Sequence, residues 1–253
     1  SILLMVNQLP PPTELIEKDY QELVLSLNTL YSKKITDENM EKNDLNDYYT
    51  TWVHQIKTPI AAMRLLLQNE DTPVSRRLKT ELFRIEQYVE MVLCYFRLDS
   101  PSSDFVLKYY SLDEIIRQAV RKYAGQFVQK KLRLIYEPTD QMVLTDEKWL
   151  SFVIEQLLSN AIKYTNEGSI TIAVDSNLVL SVSDTGIGIA PEDLPRIFEK
   201  GYTGCNGRAD KRSTGIGLYL CRQIMEKLSH TIRIESEMGV GTKVYLGLDT
   251  VSL

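Results

Sequence analysis

The stretch that decides the first half of the fold is Leu45-Asn46-Asp47-Tyr48-Tyr49-Thr50-Thr51-Trp52-Val53-His54-Gln55-Ile56-Lys57-Thr58-Pro59-Ile60-Ala61-Ala62-Met63-Arg64-Leu65-Leu66-Leu67. Within it Leu45, Tyr49, Trp52, Ile56, Ile60, Met63 and Leu67 step by threes and fours, which is a heptad-like seam. The spacing predicts one helix from about Thr36 to Asn69. Asp71-Thr72-Pro73 then breaks the pattern, because proline cannot continue a helix but suits the start of the next. A second helix is predicted from about Val74 to Leu98, with Leu78, Leu82, Ile85, Val89, Val92 and Phe96 on its seam.

Two seamed helices joined by a short turn form an antiparallel hairpin. One hairpin does not bury two such seams, whereas two hairpins packed as a four-helix bundle do, so a homodimer is expected. Upstream, Pro10, Pro11 and Pro12 break the chain, and Leu15, Tyr20, Leu23, Leu27 and Leu30 give a separate helix over about Glu14–Tyr31. Residues 1–36 read as a juxtamembrane linker or signalling helix, and 37–102 as the dimerisation hairpin.

His54 lies two positions from Trp52 and two from Ile56, about 200° around the helix, so it is expected to point away from the core. Thr58 falls one turn further along the same face, with Lys57 beside it. Pro59 removes one backbone hydrogen bond and crowds the Gln55 carbonyl, at a cost on the order of 3 kcal/mol. A kink is expected there. The second histidine, His230, follows a predicted helix C-terminus and reads as structural.

Pro101-Ser102-Ser103 marks a boundary, and residues 103–253 mix strands and helices. Strands are predicted at 105–109, 132–137, 141–144, 169–175, 178–183, 231–236 and 242–248, and helices at 112–127, 146–164 and 214–228. Ser111 and Thr145 are the expected N-caps of the first two helices. The fold class is therefore α+β multidomain, a helical hairpin followed by an α/β sandwich with one helix-covered sheet face.

The net charge of −5 argues against a general nucleic-acid binder. Cys94, Cys205 and Cys221 are sparse and irregular, so neither a disulfide framework nor a zinc site is expected. They read as reduced thiols of a cytosolic protein. No run approaches the roughly 18 to 20 apolar residues that span a bilayer. The chain starts at Ser1 rather than Met, from which a truncation or a tag remnant, and a missing N-terminal part, are expected.

Four segments of the second half carry ligand chemistry. In Glu155–Tyr164, Ile154, Leu157, Leu158 and Ala161 make a buried stripe, and Gln156, Asn160, Lys163 and Tyr164 fall on the opposite face. A mid-helix Asn invites a reason, and its amide oxygen suits Mg²⁺. Asp184-Thr185-Gly186-Ile187-Gly188-Ile189 follows a strand; Asp184 offers an acceptor for an adenine amino group, and the glycines let backbone approach a ring. Lys200–Ser213 is rich in glycine and in Lys200, Arg208, Lys211 and Arg212, and reads as a lid over phosphates. Thr214-Gly215-Ile216-Gly217-Leu218 opens a helix whose free amides favour a phosphate.

Together these segments resemble, in order, the N, G1, F and G2 boxes of the GHKL (Bergerat-fold) ATPase family, with Ile197-Phe198-Glu199-Lys200-Gly201 similar to the F box. With the upstream His54 segment, the chain resembles bacterial sensor histidine kinases over about residues 37–250. The resemblance implies ATP and Mg²⁺ as cofactors, His54 as phosphoacceptor, Asn160 as magnesium ligand, and Thr58 as the position that helps dephosphorylate a partner. It implies that Lys163, Tyr164, Gly215 and Gly217 line the phosphates and that Asp184, Gly186 and Gly188 surround adenine. Ile189, Lys200, Gly201, Tyr202, Arg212, Thr214, Ile216, Leu218 and Thr242 complete the implied nucleotide set.

The WVHQIKTPI and VIEQLLSNAIKYT wording is most similar to peptide-antibiotic-responsive intramembrane-sensing kinases. That resemblance implies a response regulator receiver domain as partner, an ABC transporter reached through the membrane part, and a cell-membrane location for the whole protein. Two departures stand out. Gln55 occupies the place where the family has an acidic general base, so either the base lies elsewhere or the imidazole attacks unaided. Gln156 replaces an Asn one turn before the magnesium ligand. Two rival readings stay open: a regulator that uses ATP only as a conformational ligand, and a chaperone-type, topoisomerase-type or serine-kinase relative of the same ATPase fold.

Overall fold

The computed structural model describes residues 15–99, 105–204 and 214–249. The proline break at 10–12, the 101–103 boundary, Cys205, Arg208, Lys211 and Arg212 lie outside the described residues. The chain divides into two compact units, residues 1–101 and 102–253.

The first unit is a helical hairpin. Helix α1 runs without a break over Leu15–Gln68, through Pro59. The separate linker helix predicted over 14–31 is thus part of one rod. Nothing stops it, since no glycine or proline occurs between Pro12 and Pro59. Helix α2 covers Pro73–Asp99. The turn between them is capped reciprocally, with the Thr72 amide donating to Ser75 Oγ at 2.9 Å and the Ser75 amide donating to Thr72 Oγ1 at 3.0 Å. Ser75 Oγ also donates to the Glu70 carbonyl, and Arg76 forms a two-pronged ion pair with Asp71.

The hairpin core consists of Val53, Ile60, Leu82, Val89 and Leu93, with Ile56 and Leu67 packed against it. Each such side chain contributes roughly 1.5–3 kcal/mol when fully buried. The predicted seam is therefore divided. Ile56, Ile60 and Leu67 face the other helix of the hairpin, whereas Trp52, Met63, Leu78 and Ile85 are 37%, 43%, 50% and 45% exposed. Val53 takes the interior position expected of Trp52, because two helices meeting side by side need a narrower stripe than a four-helix core.

The second unit is an α/β sandwich. Strand β1 (Lys108–Ser111) pairs antiparallel with β3 (Met142–Thr145) as a separate ribbon. The main sheet has the order β2-β4-β5-β7-β6, from β2 (Arg133–Tyr136), β4 (Ser169–Val174), β5 (Val179–Asp184), β6 (Thr231–Glu237) and β7 (Gly241–Gly247). Among the described strands only the β2–β4 pair is parallel. Helices α3 (Leu112–Lys130), α4 (Glu147–Tyr164) and α5 (Gly217–Lys227) complete the unit. Ile170, Ile172, Leu180, Val182, Val244 and Leu246 alternate along their strands into one buried layer, against Val153, Ile154, Leu157, Leu158, Leu220 and Ile224 of the helices.

Ser111 caps α3 as expected, its side chain accepting from the Glu114 amide. The cap of α4 is Asp146 rather than Thr145: its carboxylate accepts from the Lys148 and Trp149 amides at 3.0 and 3.3 Å. Thr145 instead ends β3, opposite Lys108, and is fully buried. The first strand starts at Lys108 instead of 105, because Phe105 stacks on Trp149 rather than pairing.

Candidate functional site

In the sandwich, the site grows from the ends of α4 and β5. Asp184 is the last residue of β5, and its Oδ1 accepts from the Gly186 amide at 2.8 Å. Burial pushes its carboxyl above the usual range, and the Gly186 and Thr242 amides and the Thr165 hydroxyl oppose that rise. The Thr165 hydroxyl is buried beside it without a hydrogen bond of good geometry. Asp184 is thus a half-buried acceptor, the chemistry needed to read an exocyclic amino group.

Glycine is required beside it for lack of space. A Cβ at Gly186 would lie 2.5 Å from the Tyr164 carbonyl oxygen, and one at Gly188, whose φ is +71°, would lie 2.0 Å from the Glu237 carbonyl oxygen. The same loop is tied on both sides. Ile187 N donates to Tyr164 O at 3.2 Å, Gly239 N donates to Ile187 O at 2.9 Å, and Ile189 N donates to Ser236 Oγ at 2.8 Å. Ser236 and Thr242 share a hydrogen bond of 2.9 Å, so Thr242 stands behind the loop, opposite Asp184 in the β5–β7 ladder.

On α4, Asn160, Lys163 and Tyr164 are all half-buried, with the Lys163 ammonium 5.0 Å from the Tyr164 ring. Gln156 departs from the expected polar face: it is only 7% exposed, among Val153, Leu157 and Leu158 of the same helix. It sits one turn from Asn160 but inside, which removes it from the metal-facing set. The buried stripe is also wider than predicted, taking in Leu150, Val153 and Ile162.

A second cluster forms at the start of α5. The helix begins at Gly217, not Thr214, and no side chain caps it. Gly201 N donates to Gly215 O at 2.9 Å, fixing the root of the lid to this helix start. Tyr202 donates through its hydroxyl to Asp193 Oδ1 at 2.6 Å, and Arg196 lies over its ring. Asp193 and Ser236 were not singled out in the sequence because each is an ordinary loop or strand residue there. Arg212, expected on the lid, lies outside the described residues. Lys200, Thr214, Ile216 and Leu218 flank the cluster.

His54, Gln55 and Thr58 belong to the hairpin unit. All three are exposed, and Thr58 Oγ1 donates to the His54 carbonyl at 3.3 Å. His230, by contrast, is 4% exposed, with Nε2 3.3 Å from Thr145 Oγ1 and Nδ1 without a partner. Burial lowers its pKa. That matches its structural reading. Among the described residues no group of three or more His, Cys, Asp or Glu converges as a metal centre. A hard cation would have to draw ligands from phosphate and water in addition to an amide such as that of Asn160, which fits magnesium.

The class of the sandwich follows from a family match: residues 145–252 match the family described as histidine kinase-, DNA gyrase B- and HSP90-like ATPase, so this unit is an ATP-binding domain. The relatives of the whole chain are narrower. Sensor histidine kinase YxdK of Bacillus subtilis is 36% identical over 241 residues, covering 92% of this chain and 72% of that protein. Sensor protein BceS of Halalkalibacterium halodurans is 38% identical, covering 80% of this chain and 60% of that protein. Sensor histidine kinase GraS of Staphylococcus epidermidis is 32% identical, covering 92% and 70%. The chain belongs to the sensor histidine kinases and is a protein histidine kinase.

Solved structures share the fold. Full-length ShkA in complex with AMPPNP gives a TM-score of 0.56 at 23% identity, covering 82% of this chain and 47% of that one. Histidine kinase AdeS of Acinetobacter baumannii gives 0.50 at 20% identity, covering 78% and 98%. No helix among the described residues is long and apolar enough to cross a membrane.

Proposed function

We propose that this chain binds Mg–ATP in the sandwich, transfers the γ-phosphoryl group to His54 and passes it to an aspartate of a response regulator receiver domain. The observation that carries this reading is the Asp184 carboxylate, half-buried at the end of β5 and held by the Gly186 amide, beside the α4 turn bearing Lys163 and Tyr164. In the proposed site Asp184, Gly186, Gly188 and Ile189 receive adenine. Lys163, Tyr164 and the backbone amides at the start of α5 receive the phosphates, with Lys200, Gly201, Tyr202 and Arg212 closing over them. Magnesium, held by Asn160, supplies charge neutralisation on the phosphates.

In the transfer, an imidazole nitrogen of His54 attacks the γ-phosphorus, the bond to the β–γ bridging oxygen breaks, and ADP leaves. The exposed position of His54 supports its role as acceptor. Gln55 accepts no proton, so the imidazole attacks in its neutral form and its remaining proton passes to solvent. Thr58, hydrogen-bonded to the His54 carbonyl, serves the reverse reaction, the dephosphorylation of the regulator.

The exposed apolar stripe of Trp52, Met63, Leu78 and Ile85 supports a homodimer in which two hairpins form a four-helix bundle. The functional division runs 1–36 for signal input, 37–102 for dimerisation and phosphotransfer, and 103–253 for catalysis. In the whole protein the kinase sits at the cell membrane and answers peptide antibiotics together with an ABC transporter. The test is the chemistry of the product. After incubation with γ-labelled ATP, the protein-bound phosphate should be lost in acid and kept in alkali. Alkali-labile, acid-stable phosphate would point to a serine acceptor instead, and phosphate lost in both acid and alkali to an acyl acceptor.

A further inference from the structure

A helix ends with four carbonyls that find no partner within it. At the end of α4 all four are satisfied. Ala161 O accepts from Thr165 N at 3.1 Å, and Tyr164 O accepts from Ile187 N at 3.2 Å. The other two, Ile162 O and Lys163 O, accept from the single ammonium of Lys130 at 2.5 and 3.1 Å. The same ammonium donates to Thr165 O at 3.0 Å. These three acceptors belong to one turn of backbone.

Lys130 is well placed for this. It is the last residue of α3, where Lys131 turns left-handed at φ 56° and Leu132 N returns to Phe127 O. Helix α4 itself ends on Thr165 in an extended conformation, φ −103° and ψ 118°, with no glycine cap. The ammonium stands in for that cap and also meets the negative end of the helix dipole.

The turn it closes bears Lys163 and Tyr164, carries the docking point of the Asp184 loop on Tyr164 O, and places Thr165 beside Asp184. The geometry points to Lys130 as a positioning residue for the nucleotide site: it pins the end of α4, and through that turn sets the phosphate-side and base-side groups against each other. This inference rests on the proposed nucleotide site. Without the ammonium, Ile162 O, Lys163 O and Thr165 O lose this shared donor and the turn opens part of the time. Nucleotide then binds only the closed fraction, and the apparent Kd rises by the inverse of that fraction.

The experiment titrates Mg–ADP into the full chain by calorimetry, with thermal midpoints and amide exchange measured on the same samples. Lys130→Met should weaken binding about tenfold, and Lys130→Arg, which keeps charged donors, should stay within about threefold of the parent. The amides of Thr165 and Ile187 should exchange faster in Lys130→Met. Tyr136→Phe removes a hydrogen bond to Asp113 at the other end of α3 and serves as a control that lowers the midpoint without changing Kd. Lys130→Gln, which keeps two donors, gives the reading should Lys130→Met fail to fold. The initial rate of autophosphorylation should reach half its maximum at a higher ATP concentration, with the maximal rate little changed.

A Lys130→Met protein that matches Tyr136→Phe in midpoint and the parent in Kd makes the contact merely structural and overturns the inference. Asn160→Ala separates the two levels. If it weakens Mg–ADP while Lys130→Met and Lys130→Gln do not, the inference falls and the site stands. If none of the three changes Kd, the proposed site falls as well.

Discussion

The Gly186 amide closes onto the Asp184 carboxylate at 2.8 Å, and the missing Cβ of Gly186 is what lets Ile187 reach the Tyr164 carbonyl in the next step of the chain. The carboxylate proposed to read the base and the helix proposed to meet the phosphates are therefore joined through a single residue with no side chain.

Substituting alanine there should separate them. Gly186→Ala brings a methyl to 2.5 Å from a backbone oxygen, so the loop must shift. Nucleotide affinity is expected to fall at least about tenfold, with a stability loss of about 1–3 kcal/mol. Calorimetric titration and a denaturant melt read the two effects. An unchanged Kd contradicts the loop's placement.

Asp184 offers a trade of function against stability. Its folded pKa is raised by burial, so its ionised form opposes folding; the contribution is favourable below the ordinary carboxylate pKa and is lost as pH rises through the folded value. Asp184→Asn keeps the acceptor for the Gly186 amide and removes the charge. At pH 7 it should melt higher than the parent, with the gap closing as pH falls toward 4. The same protein should lose most nucleotide binding, because with its oxygen held by the Gly186 amide the side chain turns an N–H donor toward the adenine amino group, itself a donor. A melting point below the parent's at pH 7 would mean that the charge is compensated.

His230 predicts acid sensitivity of the sandwich. Burial depresses its folded pKa, so the unfolded chain takes up the proton more readily and stability falls as pH drops below about 6.5. Thermal midpoints from pH 7.5 to 5 should decline more steeply in the parent than in His230→Gln. Parallel curves would contradict a neutral buried ring.

The hairpin predicts two different outcomes for two apolar positions. Leu82→Ala hollows the core within one hairpin and should cost about 2–5 kcal/mol. Ile85→Lys touches only the exposed stripe and should turn dimers into monomers in sedimentation. A dimer that survives Ile85→Lys places the second copy elsewhere.

Much of this was legible beforehand, for identifiable reasons. The main sheet follows period-two patterns with glycine and asparagine turns, and its strands lie within one or two residues of the prediction. The heptads gave the hairpin but not which seam residue faces its own hairpin and which faces outward, since a heptad is the same for both. That is why Val53 was missed and Trp52 overestimated. Gln156 was read as exposed from its polarity, and only packing of α4 shows it inside. Adjacent Thr145 and Asp146 both suit an N-cap, and the ladder decided between them by holding Thr145. The break expected near residue 32 rested on a weak phase shift, which does not end a helix without glycine or proline. Lys130 gave no local signal, because its partners lie more than thirty residues away.

The most direct measurement is transfer of label from γ-labelled ATP to the parent and to His54→Gln, followed by mapping of the modified residue. The account predicts label on His54 in the parent and none on His54→Gln. Label that persists on His54→Gln, or maps to another residue, would contradict it.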